Sequence, residues 1–392
     1  MSQPEQSQLM RIVLHVMFFL SGIATVLIGP VLPILARHFS LSDIEMSYFF
    51  PAQFAGSISG TLLSSRLARR NNYSAAAVAG TLLMAVGLML LNADSYSICL
   101  VGFLVNGLGI GLTLPSINML ILDMSQGRAA SALSILNFCW GVGAIISKPF
   151  VDISGTRDSL GLATWILAVP LVMSAVIILP KVRLGRAVRD NTPPDDPRDA
   201  RIWTTPIAWG IALFNLIHVG FESGMGGWIT TYTERVDGQP LLAWLSPTFL
   251  YFLFFVLGRA FAPVLFRFVN ENRMLLLGLT IVLAGMVFVL SAATVASLSI
   301  GAVAAGFGTS WIFPTNVARF SRTFGPRSTR RATPLFVAGT IGAASSTWLI
   351  GFVSERTGSL HSGLYVLAVG IALLIVLQII LGTRDVSPSE DS

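Results

Sequence analysis

The chain has 392 residues, of which 54% are apolar and only 11% are charged. A soluble globular domain contains roughly 25% charged residues, and the mean hydropathy of +0.74 also lies far on the apolar side. These values exclude a soluble protein and indicate a membrane protein with a formal net charge of +6.

Twelve apolar runs are long enough to cross a bilayer, which takes about 20 helical residues each. They leave no room for a sizeable soluble domain. In chain order the predicted membrane helices are Ile12–Leu35, Met46–Leu63, Ala75–Leu91, Ile98–Leu122, Ala132–Phe150, Leu160–Ile178, Ile207–Tyr232, Trp244–Phe266, Leu275–Ser291, Leu298–Val317, Thr333–Val353 and Leu364–Leu381.

The basic residues between these runs predict the orientation of the chain. An even number of crossings puts both termini on one side, and that side carries 20 of the 25 basic residues. Because basic loops stay in the cytoplasm, we expect both termini to be cytoplasmic, in a cell membrane that we take to be the bacterial inner membrane. The positive charge is thus explained by topology, and no nucleic-acid partner is expected.

The chain also contains an internal repeat. The motif GLGIGLTLP in the fourth run (107–115) recurs as GFGTSWIFP in the tenth (306–314), at an offset of 199. Glycines and arginines recur at an offset of 198, as in Gly22 and Gly220, Gly29 and Gly227, Arg37 and Arg235, Gly60 and Gly258, and Arg69 and Arg267. We predict two six-helix halves, residues 1–180 and 204–392, joined by a proline-bearing cytoplasmic linker, residues 181–203.

Two parallel six-helix repeats resemble the major facilitator superfamily over essentially the whole chain. The seventh run, HVGFESGMGGWITTY (218–232), and the fifth, LNFCWGVGAIISKP (136–149), are similar to segments of the fucose/glucose:proton symporter family. This resemblance implies an all-α membrane protein of twelve transmembrane helices in two six-helix pseudo-repeats. The chain departs from the family in lacking its acidic residues in the first and fourth helices, and Ser64 stands where the superfamily's loop motif has Asp.

A carboxylate in the seventh run is the first candidate for chemistry. Glu222 is the only acidic residue well inside an apolar run, and His218 lies one helical turn before it, on the same face. An ionised carboxylate in a bilayer is costly, so such a group carries a proton readily or binds a partner. We predict that Glu222 and His218 couple transport to protons; helix-to-helix hydrogen bonding is the structural alternative. The glycines that follow, including Gly224 and Gly226, serve either a bending gate or close helix packing.

Polar and indole side chains inside the other runs predict a binding site for a neutral solute such as a sugar. Each could instead bridge helices or lie at the membrane surface. The predicted solute contacts, besides Glu222, are Gln53, Asn118, Asn137, Trp140, Trp311 and Asn316.

Charges near the ends of helices form a separate group with predicted gating or structural roles. Lys148 and Asp152 have helical spacing for an ion pair, and Arg66 and Arg69 are the expected partners of Asp123. Arg259 in the eighth run completes this group.

These features predict a secondary transporter in which a solute and protons move through alternating access. Sodium is an alternative coupling ion, and a proton-coupled exporter of drugs or amphiphiles is the alternative function. A receptor or scaffold is disfavoured because no appended domain is present. The chain shows no phosphate-binding loop, serine triad or metal motif, and Cys99 and Cys139 lie in apolar runs, so we expect no enzyme activity, cofactor or metal. We expect the protein to act as a monomer.

Overall fold

The computed structural model describes residues 3–68, 72–125, 129–156, 159–179, 202–238, 240, 245–325 and 331–384. The chain forms two compact units, residues 1–191 and 192–392. The division falls inside the predicted linker, residues 181–203, most of which lies outside the described residues.

Each unit is built from helices. The first contains α1 (Gln3–Val26), α2 (Ile28–Phe39), α3 (Asp43–Ser47), α4 (Phe49–Ala68), α5 (Tyr73–Leu90), α6 (Tyr96–Met124), α7 (Ala129–Ser154) and α8 (Gly161–Ile178). The second begins with a 3₁₀ turn (Ile202–Thr204) and contains α9 (Pro206–Thr233), α10 (Pro247–Leu265), α11 (Glu271–Leu290), α12 (Val295–Thr309), α13 (Ile312–Phe324), α14 (Thr333–Thr357) and α15 (Leu360–Arg384).

The predicted all-α class is confirmed. Over the described ranges the only strand-like feature is a single bridge between Asp237 and Thr294, and ten helical segments there are long and apolar enough to cross a membrane. The second and seventh predicted runs also form helices, α4 and α9, but these are not among the ten. Twelve crossings therefore remain a prediction.

Three of the predicted runs are each divided between two helices. The second run is divided near its start, at Tyr48, between α3 and α4. The first run breaks at Leu27, between α1 and α2, and the tenth breaks at Ser310 and Trp311, between α12 and α13. Proline has no N–H group to donate to the carbonyl four residues earlier. Pro30 and Pro314 stand four residues after Val26 and Ser310, so each proline leaves one carbonyl at the break without its helical partner.

Side-chain caps define where several helices of the second unit begin. The first N–H groups of a helix have no acceptor within it, and a preceding Ser, Thr or Asn supplies one. Ser246 Oγ accepts from Phe249 N at 3.2 Å before α10, and Asn270 Oδ1 accepts from Arg273 N at 2.9 Å before α11. These polar caps fit helix ends at the edge of an apolar layer.

The same pattern of helix pairs occurs in both units. In the first, the main pairs are α4 with α6, α5 with α6, α1 with α7 and α5 with α8; the second contains their counterparts, α10 with α12, α11 with α12, α9 with α14 and α11 with α15, and α15 also packs against α9 and α14. The shared pairs join runs two and four, three and four, one and five, and three and six, and their counterparts six runs later. The repeated contacts agree with the internal repeat in the sequence.

Repeated glycines lie where paired helices come closest. A methyl group on Gly107 of α6 would overlap the Gln53 carbonyl oxygen of α4, and one on Gly306 of α12 would overlap the Tyr251 carbonyl oxygen of α10. Gly107 and Gly306 are the first glycines of the repeated motif. The repeat thus preserves the small residues that allow close helix packing.

Large apolar side chains also cover much of the outer surface of each unit. Ile153, Phe268 and Leu162 are 85%, 82% and 61% exposed. Exposed apolar surface on this scale is unfavourable in water, and a bilayer removes that cost. The protein is a multi-pass membrane protein.

Candidate functional site

Glu222 and His218 lie on one face of α9, as their spacing predicts. His218 Nε2 is 3.9 Å from Glu222 Oε1, and the side chains are 1% and 18% exposed. Neither His218 Nδ1 nor Glu222 Oε1 has a hydrogen-bond partner among the described residues. The pair therefore consists of two titratable groups. The carboxylate also has an acceptor atom that is not hydrogen-bonded.

The break between α12 and α13 supplies the next part of the site. Thr309, the last residue of α12, places its Oγ1 at 2.9 Å from His218 Nε2. Ser310, which follows it, has the carbonyl that Pro314 cannot satisfy, and this oxygen accepts a hydrogen bond from Arg259 Nε at 3.1 Å. The helix break thus provides Thr309, an uncharged partner for the His218 ring, and the Ser310 carbonyl, which binds the Arg259 cation.

Helix α10 contributes an aromatic and charged face to the same region. Tyr251 donates its hydroxyl to the Glu222 carbonyl oxygen at 3.4 Å, and the Arg259 guanidinium carbon lies 4.1 Å from the centre of the Phe255 ring. Glu222, Tyr251 and Arg259 are close enough to interact electrostatically. We call His218, Glu222, Tyr251, Arg259 and Thr309 the charged cluster.

The glycines after Glu222 do not interrupt α9, which continues to Thr233. A methyl group on Gly224 would crowd the Leu367 side chain of α15, and one on Gly226 would meet the Phe252 ring of α10. In this structure these glycines provide room for neighbouring side chains.

Two of the predicted solute contacts are buried inside the second unit. Trp311 is fully buried and donates its Nε1–H to the Met274 carbonyl at 2.9 Å. Asn316 is fully buried and donates Nδ2–H to the Ile211 carbonyl at 3.1 Å. Both bonds join separate helices, so each residue has a structural role there.

The predicted contacts of the first unit are less uniform. Gln53 is buried and donates to the Thr25 carbonyl at 2.9 Å, whereas Asn118 and Asn137 donate to Leu114 and Leu133 of their own helices. Asn118 is half-buried and Asn137 is exposed. Trp140 is half-buried, and its Nε1 has no hydrogen-bond partner among the described residues.

The predicted charge pairs give mixed results. Lys148 Nζ contacts Asp152 Oδ1 within α7. Arg69 lies outside the described residues, and within them no ion pair joins Asp123 to Arg66, both of which are exposed. Arg259 contacts Ser310 and Phe255 rather than a carboxylate.

Sequence reasoning did not single out Tyr251, Thr309 or Ser310. A signal for the last two was present, because they occupy the repeated motif GFGTSWIFP ahead of Pro314, the residue that breaks the helix. Nothing in the local sequence around Tyr251 distinguishes it from the neighbouring aromatic residues of α10.

An open cavity of about 680 Å³ lies in the second unit, bordered by Arg259 and Trp311. Its other lining residues are Ala262, Pro263, Phe266, Val269, Asn270, Glu271, Pro314, Thr315, Ala318 and Arg322. The described residues contain no group of three or more His, Cys, Asp or Glu side chains arranged to hold a metal ion.

Comparisons with known proteins agree on the kind of fold. A family model described as the Major Facilitator Superfamily matches residues 14–333. Crystal structures similar to this chain include a peptide transporter, POT, in complex with sulfate (13% identity, 96% of this chain and 94% of that chain, TM-score 0.78) and the nucleoside transporter NupG (11%, 97% and 100%, 0.77). The transporter FucP in the outward conformation is also similar (17%, 96% and 99%, 0.63). No curated protein matches the sequence.

Proposed function

The chain belongs to the Major Facilitator Superfamily, and from this premise we propose that it moves a small polar solute together with protons across a cell membrane. It is a transporter rather than an enzyme. In the proposed mechanism two six-helix halves alternate access to a solute site near the middle of the membrane. A sugar is the first solute class to test, with Gln53, Asn118, Asn137 and Trp140 as its proposed contacts. Trp311 and Asn316 are fully buried and hold helices together in this structure.

The observation that carries proton coupling is the position of Glu222. Its carboxylate lies on a membrane helix beside a buried histidine, and Oε1 has no hydrogen-bond partner among the described residues. Such a carboxylate is neutral when protonated and costly when charged. Binding and release of one proton can therefore drive reorientation of this carboxylate between the two sides of the membrane.

The energy available from one proton is adequate for uphill transport. A single charge that moves through about 100 mV supplies roughly 2.3 kcal/mol. At about 1.4 kcal/mol per factor of ten, this sustains about 50-fold accumulation of a neutral solute.

The test uses purified protein in liposomes that contain a pH-sensitive dye. Addition of a transported solute should acidify the interior of wild-type vesicles, and fucose and glucose are the first solutes of the panel. Glu222→Gln mimics the protonated carboxylate, so it should abolish solute-driven proton entry and uphill accumulation while exchange of internal for external solute continues.

The matched control is Glu355→Gln, which removes an exposed carboxylate near the end of α14. It should leave proton entry unchanged. Proton-driven accumulation by Glu222→Gln at the wild-type level would show that coupling lies elsewhere or that sodium drives transport; replacing sodium with potassium in the assay separates these two outcomes.

An exporter of drugs or amphiphiles is the second candidate, favoured by the mainly apolar lining of the cavity beside Arg259. Import and export differ in the direction of the coupled proton. For an exporter, a proton gradient imposed across inside-out vesicles should drive uptake of an amphiphilic dye, and Glu222→Gln should stop it.

A further inference from the structure

The cavity of the second unit has a mostly apolar wall with one cation set into it. The wall is formed by α10, α13 and the segment before α11, and includes Ala262, Pro263, Phe266, Trp311, Pro314 and Ala318. Arg259 lines the same cavity and its side chain is exposed there. A volume of about 680 Å³ falls within the range of small-molecule sites.

The Arg259 guanidinium is held in one position but is only partly used. Its Nε donates to the Ser310 carbonyl at 3.1 Å, and its central carbon lies over the Phe255 ring, 4.1 Å from the ring centre. Within the described part of the chain, the two terminal nitrogens have no further hydrogen bond and no ion pair. The free edge of the guanidinium therefore retains donors for a partner that enters the cavity.

The other charges at the cavity do not balance Arg259. Arg322 Nη1 is 2.7 Å from Glu271 Oε2, so these two lining residues form an ion pair with each other. Glu222 is within electrostatic range of Arg259 but does not contact it. Arg259 therefore has no contacting anion among the residues that line the cavity, and a bound anion would supply one.

We propose that the cavity binds an organic anion with a small apolar body, whose carboxylate accepts hydrogen bonds from Arg259. The planar guanidinium fork fits a carboxylate in two parallel bonds. The apolar wall contacts the body of the ligand. This wall has few hydrogen-bond partners for the many hydroxyl groups of a sugar. This inference rests on the proposed transport function and names an organic anion, in place of a sugar, as the solute class of this cavity.

The test measures equilibrium binding to the purified full-length protein by titration calorimetry, with no gradient present. The probes are benzoate, its neutral analogue benzamide, and inorganic sulfate. Benzoate should bind, while benzamide and sulfate should bind at least tenfold more weakly, because one lacks the charge and the other the apolar body.

The variants separate the guanidinium fork from its charge. Arg259→Lys keeps a positive charge but loses the planar fork, so benzoate affinity should fall about tenfold or more; Arg259→Met should abolish binding. The control Arg356→Met removes another arginine that lies over a phenylalanine, at 5.4 Å from the Phe352 ring and outside this cavity. It should bind benzoate as the wild type does. Melting temperatures without ligand check that each variant is folded.

Three results would overturn the inference: wild-type benzoate affinity in both Arg259 variants, equal affinity for benzamide and benzoate, or no binding of benzoate. The flux assay with Glu222→Gln remains a separate test of the proposed function. Failure there with intact Arg259-dependent binding would reject proton coupling alone, whereas sugar-driven proton entry without benzoate binding would reject the anion site alone.

Discussion

Individual polar residues in the membrane helices have partners that set their chemistry. His218 is an example, because its Nε2 contacts Thr309 at 2.9 Å while its Nδ1 has no partner among the described residues. The ring is therefore both a structural link between α9 and α12 and a candidate proton relay to Glu222.

Replacing His218 should distinguish these two roles. With His218→Ala, transport should persist but its pH optimum should shift, because the imidazole 3.9 Å from the carboxylate can pass protons to and from Glu222. His218→Gln keeps a donor near Thr309 but cannot be protonated. If the relay is real, the glutamine variant shows the same displaced optimum in the dye assay; a wild-type profile for His218→Gln would assign the histidine to packing.

Contacts between whole helices depend on small residues and on carbonyl oxygens that lack a helical hydrogen bond because proline stands four residues later. The breaks before Pro30 and Pro314 occur in the first and the tenth runs, which are not counterparts in the repeat. At the second break, the Ser310 carbonyl accepts a hydrogen bond from Arg259, so the same feature that divides the helix also positions the Arg259 side chain.

Close packing of α10 and α12 should make Gly306 intolerant of any side chain. In Gly306→Ala the new methyl group overlaps the Tyr251 carbonyl, a backbone atom that cannot move away without separating the helices. We expect a loss of about 1–3 kcal/mol of stability, typical of overpacking, observed as a lower melting temperature in detergent. Gly382→Ala is the control. The atom nearest to its added methyl group is 3.7 Å away, so the stability of this variant should not fall. Equal melting temperatures for the two variants would contradict the packing argument.

At the scale of the molecule, the loops show which helix ends share a side of the membrane. Val295 N donates to the Asp237 carbonyl at 3.0 Å, which joins the loop after α9 to the loop before α12. These two loops therefore lie on one side. The excess of basic residues in the other loops predicts that this side is external.

Reporter fusions should establish that orientation. Alkaline phosphatase inserted after Asp237 should be active, because the enzyme works only outside the bacterial cytoplasm, and the same enzyme fused after residue 392 should be inactive. Green fluorescent protein at the same two positions is the control and should give the opposite pattern. Active phosphatase at the C-terminus would reverse the predicted topology.

The sequence alone determined the membrane class, the helical runs and the internal repeat, and it made Glu222 the first candidate for proton coupling. Each of these follows from local composition, because a bilayer requires apolar residues along a whole helix and makes any carboxylate there conspicuous. The repeated glycines were also visible, although their contacts were not.

Only the tertiary structure decided which polar groups meet. His218 and Thr309 are 91 residues apart and Asn316 and Ile211 are 105 apart. A helix surrounded by lipid is apolar on all sides, so its sequence does not reveal which face packs against a neighbour. For this reason Trp311 and Asn316 proved to hold helices together, and Arg259 proved to lie at a cavity with free donors, a difference that depends on packing between helices rather than on residue type.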